Sequence, residues 1–179
     1  MDTGLHLVKP AAEYAEEIRA YRQEFMDTGG EFHGDCALQH FDDPLSWLSY
    51  NRALENHEIA ASSWTAYDQY LCVRADDERV VGMINFRRTD DAALGEYAGE
   101  IGFSVRPSER RKGYAKAMLK ECLSKCAARG IESAVLTCNR ANQASRRTIL
   151  ACGGAFERNA HGDEGMERYL LKTTLTTGT

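Results

Sequence analysis

The segment Glu100–Ala115, EIGFSVRPSERRKGYA, is the most informative part of this 179-residue chain. Its apolar half, Ile101 to Val105, has the composition of a short β-strand. A basic turn follows, and a helical pattern that begins at about Arg111 continues to about Arg129. The segment therefore predicts a strand, a turn and the N-terminus of a helix, in that order.

The start of this helix is suited to bind an anion. The first turn of a helix leaves backbone N–H groups without a partner, and the helix dipole adds partial positive charge at the same end. Gly113 lets a phosphate approach the backbone closely, and Ala115 is too small to block it. The sequence has neither a Walker loop nor a dinucleotide-binding fingerprint. We therefore predict a pyrophosphate site of another kind.

The turn contains the pattern Arg110-x-x-Gly113-x-Ala115 directly after the predicted strand. This pattern resembles the coenzyme A pyrophosphate loop of the GNAT N-acetyltransferases, which has Gln/Arg-x-x-Gly-x-Gly/Ala. Taken alone, the six residues also fit an ordinary basic turn between a strand and a helix. A second segment is needed to separate the two interpretations.

That second segment follows another predicted strand, Ser133 to Thr137. A short predicted helix begins at Asn142-Gln143-Ala144-Ser145 and is closed by Gly153-Gly154-Ala155-Phe156. It is similar to the GNAT segment Asn-x-x-Ala/Ser, a short helix and Gly-Phe, in which the asparagine contacts the cofactor. Asn142 and Ser145 also fit helix N-capping without any ligand. Two such segments at the expected separation favour the GNAT superfamily, which the chain resembles over most of its length.

The remaining apolar patterns predict the rest of the fold. They indicate a strand at Leu5 to Lys9, a helix with Tyr14, Ile18, Tyr21 and Phe25 on one face, a helix from Pro44, and strands at Tyr70 to Arg74, Val80 to Phe86 and Tyr97 to Val105. A final pair of strands is predicted within residues 156–172. The order matches an α+β (mixed α/β) class and a GNAT fold, with a central mixed, mostly antiparallel sheet, a parallel crossover and helices on both faces.

The resemblance implies a single GNAT domain over residues 1–179, with an acceptor side at about 10–68 and an acetyl-CoA-binding core at about 97–156. Acetyl-CoA is the implied cosubstrate. The implied contacts to it are Phe103, Ser104, Val105, Arg110, Arg111, Lys112, Gly113, Tyr114, Ala115, Lys116, Asn142 and Ser145. In the family, the strand before the loop splays from its neighbour, so its free backbone groups hold pantetheine and polarise the thioester.

The implied reaction is direct attack of a primary amine on the acetyl thioester in a ternary complex. It needs a neutral amine, a donor for the oxyanion and a proton for the leaving thiolate. Glu100, on the strand before the loop, is the candidate base, and Glu96 is an alternative. The family's helix tyrosine position corresponds to Ile149. The proton source is therefore left open among Ser145, Tyr169, Tyr114 and water.

The acceptor side has an acidic character. Six acidic residues and no Lys or Arg lie between Gln23 and Asn51: Glu24, Asp27, Glu31, Asp35, Asp42 and Asp43. Such a lip would attract cationic amines, although a solvated acidic face explains the same residues. Trp47 and Trp64 are candidates for the acceptor pocket or for the core.

Composition limits the other functions. The chain has a net charge of −5 and 43% hydrophobic residues. Its six cysteines form no Cys-x-x-Cys pair and no zinc-binding pattern, and His33, His40 and His57 show no metal-binding spacing either. We predict reduced thiols, no metal, no membrane contact and a cytoplasmic protein. Nucleic-acid binding by the basic residues is the weaker interpretation because the chain is acidic overall. A homodimer stays open.

The sequence therefore predicts an acetyl-CoA-dependent N-acetyltransferase that acts on a small molecule or peptide. The alternative is a catalytically weak, GNAT-fold acyl-CoA-binding or regulatory module, which the missing helix tyrosine permits. The identity of the amine and the length of the acyl group are not determined by these residues.

Overall fold

The computed structural model describes residues 4–55, 66–88, 99–160 and 165–173. Its helices are α1 (Ala15–Thr28), α2 (Pro44–Glu55), α3 (Tyr114–Ala127) and α4 (Gln143–Ala151). Its strands are β1 (Leu5–Val8), β2 (Ala66–Arg74), β3 (Val80–Arg88), β4 (Ile101–Val105), β5 (Ser133–Asn139), β6 (Ala155–Asn159) and β7 (Met166–Lys172). The order of elements is the predicted one.

The strands form two antiparallel sheets. One has the order β1-β2-β3-β4 and the other has the order β5-β7-β6. The α+β class is confirmed, but the single mixed sheet that the sequence predicted is divided between β4 and β5. The amide of Glu100, just before β4, donates a hydrogen bond of 2.6 Å to the carbonyl of Val135 on β5. Beyond this junction, the described residues show no ladder between the two strands.

Helices cover both faces of the first sheet, as predicted. On β2, Tyr70 and Cys72 pack in a core with α3, whereas Leu71 and Val73 pack in a second core with α1 and α2. This division follows from the alternation of side chains along a strand. The predicted apolar face of α1 is buried, with Ile18, Tyr21 and Phe25 all at 0% exposure.

Several predicted boundaries were wrong. β2 begins at Ala66 instead of Tyr70, and β3 continues to Arg88 instead of Phe86. α3 begins at Tyr114 instead of about Arg111, because Arg111 (φ 67°) and Gly113 (φ 86°) have left-handed backbone that cannot continue a right-handed helix. Residues 89–98 lie outside the described residues, and they include Glu96 and the predicted turn before β4.

All six cysteines are free thiols, as predicted. Across the described ranges, no helix is both long enough and apolar enough to span a membrane. No group of three or more potential metal ligands is found in the same ranges.

Candidate active site

A cleft of about 1220 Å³ opens where β4 and β5 diverge. All predicted cofactor-binding residues except Lys112 line it: Phe103, Ser104, Val105, Arg110, Arg111, Gly113, Tyr114, Ala115, Lys116, Asn142 and Ser145. The loop between α1 and α2 and the strand β3 supply the opposite end. The cleft therefore has one half built on α3 and α4, which we call the cofactor half, and one half built on the α1–α2 loop and β3, which we call the acceptor half.

The free edge of β4 faces this cleft. On the other edge, the Arg106 amide donates to the Val81 carbonyl (2.9 Å) and the Glu100 carbonyl accepts from the Arg87 amide (2.7 Å). Backbone groups alternate between the two edges of a strand in an antiparallel sheet. The amides and carbonyls of Phe103 and Val105 therefore point away from β3 and toward the cleft.

Ser104 differs from its two neighbours. Its carbonyl accepts a hydrogen bond of 3.2 Å from the Tyr21 hydroxyl, and its own hydroxyl donates to the His33 carbonyl at 2.5 Å. Its backbone belongs to the edge that pairs with β3. The prediction that its backbone is available to a cofactor is therefore corrected, and Ser104 instead holds α1 and the α1–α2 loop against β4.

Gly113 leaves the space in front of α3 open. A side chain built there would meet no atom within 4 Å, and the backbone has φ 86°. The guanidinium of Arg110 lies 5.6 Å from the Phe25 ring centre, and its Nε donates to the Val105 carbonyl at 3.2 Å. Arg110, Arg111 and Lys116 place positive charge at this end of the cleft. The helix start and these cations make the cofactor half attractive to an anion.

Lys112 does not line the cleft and is held by an ion pair to Glu109, which does. Its Nζ lies 2.7 Å from Glu109, a carboxylate that also pairs with Arg74 and Arg79 at 3.0 and 3.5 Å. Burial raises the pKa of Glu109, but the Lys112 hydrogen bond and the nearby guanidinium charges outweigh it, so the pKa is lowered. Arg74 also donates to the Tyr114 hydroxyl at 3.2 Å. This cluster fixes the turn before α3 onto the β2–β3 hairpin.

Asn142 caps α4. Its Oδ1 accepts a hydrogen bond of 3.0 Å from the Ser145 amide, and both residues line the cleft. The capping interpretation is therefore confirmed. The proposed cofactor contacts of both residues remain predictions.

The hydrogen-bond partners of the candidate proton sources distinguish them from one another. Ile149 is fully buried in the core. Tyr169 is also buried, and its hydroxyl donates to Glu167 and accepts from Arg146. The Tyr114 hydroxyl is held by Arg74. Ser145 lines the cleft and its side chain is within hydrogen-bond reach of the Cys138 thiol, so it stays the proposed side-chain proton source.

Glu100 is bound at the junction of the sheets. Its Oε2 accepts a hydrogen bond of 2.7 Å from the Val135 amide, while its own amide donates to the Val135 carbonyl. It does not belong to the described residues that line the cleft. The geometry therefore gives Glu100 a structural contact where the sequence predicted a base.

The acidic residues of the acceptor side do not form one lip. Glu24 pairs with Arg106 at 2.8 Å, Asp42 pairs with Arg22 at 2.8 Å, and Asp43 accepts amide hydrogen bonds at the start of α2. Of the six acidic residues, Glu31 and Asp35 line the cleft. Trp47 is a core residue at 0% exposure. His57 and Trp64 lie outside the described residues.

Asp35 and Asn85 are two cleft residues to which no individual role was assigned from the sequence, since Asp35 was named only as one of six acidic residues. They are 4% and 2% exposed, respectively, and both line the acceptor half. Burial raises the pKa of Asp35 to about 6, although amides of Leu38 and Ala37 donate to the carboxylate and oppose this effect. The sequence signal was only the density of acidic residues, which does not reveal which carboxylate is buried.

Comparisons with known proteins agree with the fold. A family model described as "Acetyltransferase (GNAT) family" matches residues 15–153. No curated protein sequence matches the chain. One similar solved structure is the Microcin C7 self immunity acetyltransferase MccE in complex with acetyl-CoA and AMP. It has 17% identity and a TM-score of 0.66, and the alignment covers 96% of this chain and 97% of that one.

Two further structures extend the comparison. Mycobacterium smegmatis RimJ in complex with CoA-disulfide has 17% identity and a TM-score of 0.66, with 98% of this chain and 85% of that chain covered. A dodecameric spermidine N-acetyltransferase from Vibrio cholerae has 12% identity and a TM-score of 0.64, with 96% and 95% covered. At these identities, the similarity establishes the fold.

Proposed function

Because the chain belongs to the GNAT acetyltransferase family, we propose that it transfers the acetyl group of acetyl-CoA to a primary amine of a small molecule or peptide in a ternary complex. The free edge of β4, which leads directly to the open N-terminus of α3, is the observation that supports this most strongly. One edge offers backbone hydrogen bonds, and the helix start offers an anion site. A thioester attached to a pyrophosphate needs both.

The cofactor half fits acetyl-CoA as a substrate. The pyrophosphate would lie at Gly113 and the first turn of α3, with Arg110, Arg111 and Lys116 supplying charge. The pantetheine would run along the free edge of β4. The amide of Phe103 or that of Val105 would donate to the thioester oxygen as it becomes negative, which lowers the barrier to attack.

The acceptor would enter from the other half of the cleft. This half is lined by Glu31 and Asp35, by Tyr50 and Tyr67, and by the loop around Gly34. The two carboxylates and the Tyr50 ring favour a positively charged amine, whereas Arg87 lines the same half and already lies 5.6 Å from the Tyr67 ring centre. We therefore retain the preference for cationic acceptors, on the basis of two carboxylates instead of six.

Domain organisation and location complete the proposal. The acceptor side at about 10–68 and the acetyl-CoA core at about 97–156 would act as parts of one domain, because the cleft is lined from both. The six free thiols favour a reducing compartment such as the cytoplasm. A homodimer is compatible with this arrangement.

The proposal is tested by amine-dependent release of CoA from acetyl-CoA. We would use spermidine, a peptide with a free α-amino group and a neutral-chain monoamine, and would identify each acetylated product by mass spectrometry. Acetylation of at least one amine, faster for the cationic ones, is expected. Equal turnover of cationic and neutral amines would remove the charge preference, and no turnover of any amine would contradict the enzyme.

A binding module is the second candidate. The buried side chain of Ile149, in the helix where many members of the family have a tyrosine, is the observation that favours it. Tight binding of acetyl-CoA together with slow CoA release for every amine would support this candidate over the enzyme.

A further inference from the structure

The α1–α2 loop has an unusual backbone where it meets β4. Gly34, Cys36 and Ala37 all have left-handed backbone, with φ of 70°, 47° and 63°. A Cβ at Gly34 would lie 2.2 Å from the carbonyl oxygen of Gly102. Non-glycine residues rarely adopt this backbone, and it is often found at functional sites. The loop is therefore held in a costly shape directly on the strand that borders the cleft.

Buried hydrogen bonds fix the loop in this position. The side chain of Gln69 donates to the Gly34 carbonyl at 2.8 Å, and the indole of Trp47 donates to the Asp35 carbonyl at 2.9 Å. The amide of Asn85 lies 3.6 Å from the Cys36 sulfur. These contacts come from β2, α2 and β3, so three elements determine where Asp35 lies.

Asp35 and Asn85 together present unsatisfied acceptors. Amides of Ala37 and Leu38 donate to the Asp35 carboxylate, but its Oδ2 has no donor among the described residues. The same is true of Asn85 Oδ1. Buried polar atoms without partners are rare because they cost free energy. Both oxygens belong to residues that line the cleft, so a ligand with N–H donors would supply the partners that they lack.

We propose that Asp35 is a catalytic residue that binds the nitrogen of the acceptor amine and takes its proton, with Asn85 as a second contact to the same group. This inference depends on the proposed acetyl transfer. The nitrogen lone pair forms the N–C bond to the thioester carbon, one N–H proton passes to Asp35, and the C–S bond breaks with its electron pair on sulfur. The thiolate then takes a proton from water, either directly or through Ser145, whose hydroxyl is reprotonated by water in the same step, and Asp35 returns its proton to solvent.

The surroundings of Asp35 suit a base that works near neutral pH. The titratable or charged groups that face it are His33 and Cys36 from the loop and Tyr21 from α1, while Arg87 and Glu55 act on the neighbouring Cys36. His33 opposes the effect of burial on the pKa of Asp35. The carboxylate is ionised at pH 7, and its affinity for a proton is higher than that of an exposed aspartate.

If Asp35 only stabilised the turn, its replacement by asparagine would have little effect on the rate. A carboxylate that only accepts the amides of Ala37 and Leu38 is replaced well by asparagine, whose carbonyl oxygen accepts the same bonds. Asp43 provides the matched control, because it accepts amides of Leu45 and Ser46 at the start of α2, outside the cleft. D35N and D43N therefore make the same chemical change in the same kind of local turn.

The test compares the wild type, D35N and D43N with acetyl-CoA and the best amine among spermidine, the peptide and the monoamine. D35N should lower kcat at least 100-fold and should remove a rise in rate with a midpoint near pH 6, while the Kd for acetyl-CoA changes less than twofold. D43N should match the wild type.

Three results would overturn the proposal. One is a D35N kcat within threefold of the wild type, which would leave the acetyltransferase itself intact. Another is loss of acetyl-CoA binding in D35N, which would mean that the Asp35 carboxylate maintains the folded structure instead of taking part in catalysis. The third is a wild type that binds acetyl-CoA but turns over no amine, which would end the enzyme proposal as well. N85A is an independent check, and it should raise the KM for the amine more than it lowers kcat.

Discussion

We propose that the two halves of the cleft recognise their ligands by different means. The cofactor half would use backbone groups: the free edge of β4 and the N-terminus of α3 at Gly113. The acceptor half would use side chains, mainly Asp35 and Asn85, and the loop that carries Asp35 is held in place by β2, α2 and β3. Backbone sites depend on local conformation and side-chain sites depend on tertiary packing. The two halves should therefore respond differently to mutation.

The largest expected effect is on the packing that supports the acceptor half. Trp47→Ala removes a fully buried ring that also donates to the Asp35 carbonyl. We expect the free energy of unfolding to fall by about 3 to 5 kcal/mol, measured by denaturant titration. Leu45→Ala on the same helix, at a residue 52% exposed, should change it by less than about 0.5 kcal/mol. Equal effects would mean that the loop does not depend on Trp47.

A smaller effect is expected where the loop meets β4. Gly34→Ala introduces a Cβ 2.2 Å from the Gly102 carbonyl oxygen, at φ 70°. We expect a loss of about 2 to 4 kcal/mol from strain and overpacking, together with a higher KM for the amine and an unchanged Kd for acetyl-CoA.

Gly29→Ala is the control for backbone strain, because Gly29 has φ 63° and no atom within 4 Å of an added Cβ. It should cost about 1 kcal/mol. If both variants cost the same, the contact between Gly34 and β4 is not tight, and the separation of the two halves weakens.

The charge of Asp35 should lower stability at neutral pH. Its pKa is raised from 3.8 to about 6 in the folded protein, so the folded state holds a proton that the unfolded state releases between these values. Stability should therefore fall as the pH rises from about 4 to above 6. D35N should be more stable than the wild type by about 2 to 3 kcal/mol at pH 8 and similar to it at pH 4. Thermal unfolding at the two pH values measures this, and a destabilised D35N at pH 8 would contradict it.

The smallest effect is expected at Glu100. In Glu100→Gln, the side-chain carbonyl still accepts the hydrogen bond from the Val135 amide. We expect stability to change by at most about 1 kcal/mol and kcat to change less than about threefold, since general-base catalysis contributes 100-fold or more. Steady-state kinetics at saturating acetyl-CoA would measure it. A loss of 100-fold or more would restore Glu100 as the base.

The same contrast explains what could be predicted from the sequence. Gly113, Arg110 and Asn142 lie in short motifs, so their positions at the ends of helices follow from neighbouring residues. The order of strands and helices could also be predicted, because the periodicity of apolar residues is a local property of the sequence.

The residues of the acceptor half could not be predicted from local sequence patterns. Gly34 is positioned by Gly102, and Asp35 is surrounded by groups from α1, α2 and β3, which are distant in sequence. The acidic residues looked alike until the fold separated the paired Glu24 and Asp42 from the buried Asp35. The division of the sheet at Glu100 is also a tertiary feature, because it depends on how β4 and β5 diverge.

We propose above all that the β4 edge and the α3 N-terminus hold acetyl-CoA. Isothermal titration of the wild type, Gly113→Glu and Gly130→Glu with acetyl-CoA tests it most directly. Both glycines have left-handed backbone and open space for a side chain, but Gly113 begins α3 and Gly130 follows its end. We expect a micromolar Kd, about −8 kcal/mol, for the wild type and Gly130→Glu, and a loss of affinity of at least 100-fold in Gly113→Glu. Absence of binding in the wild type, or equal binding in all three proteins, would contradict it.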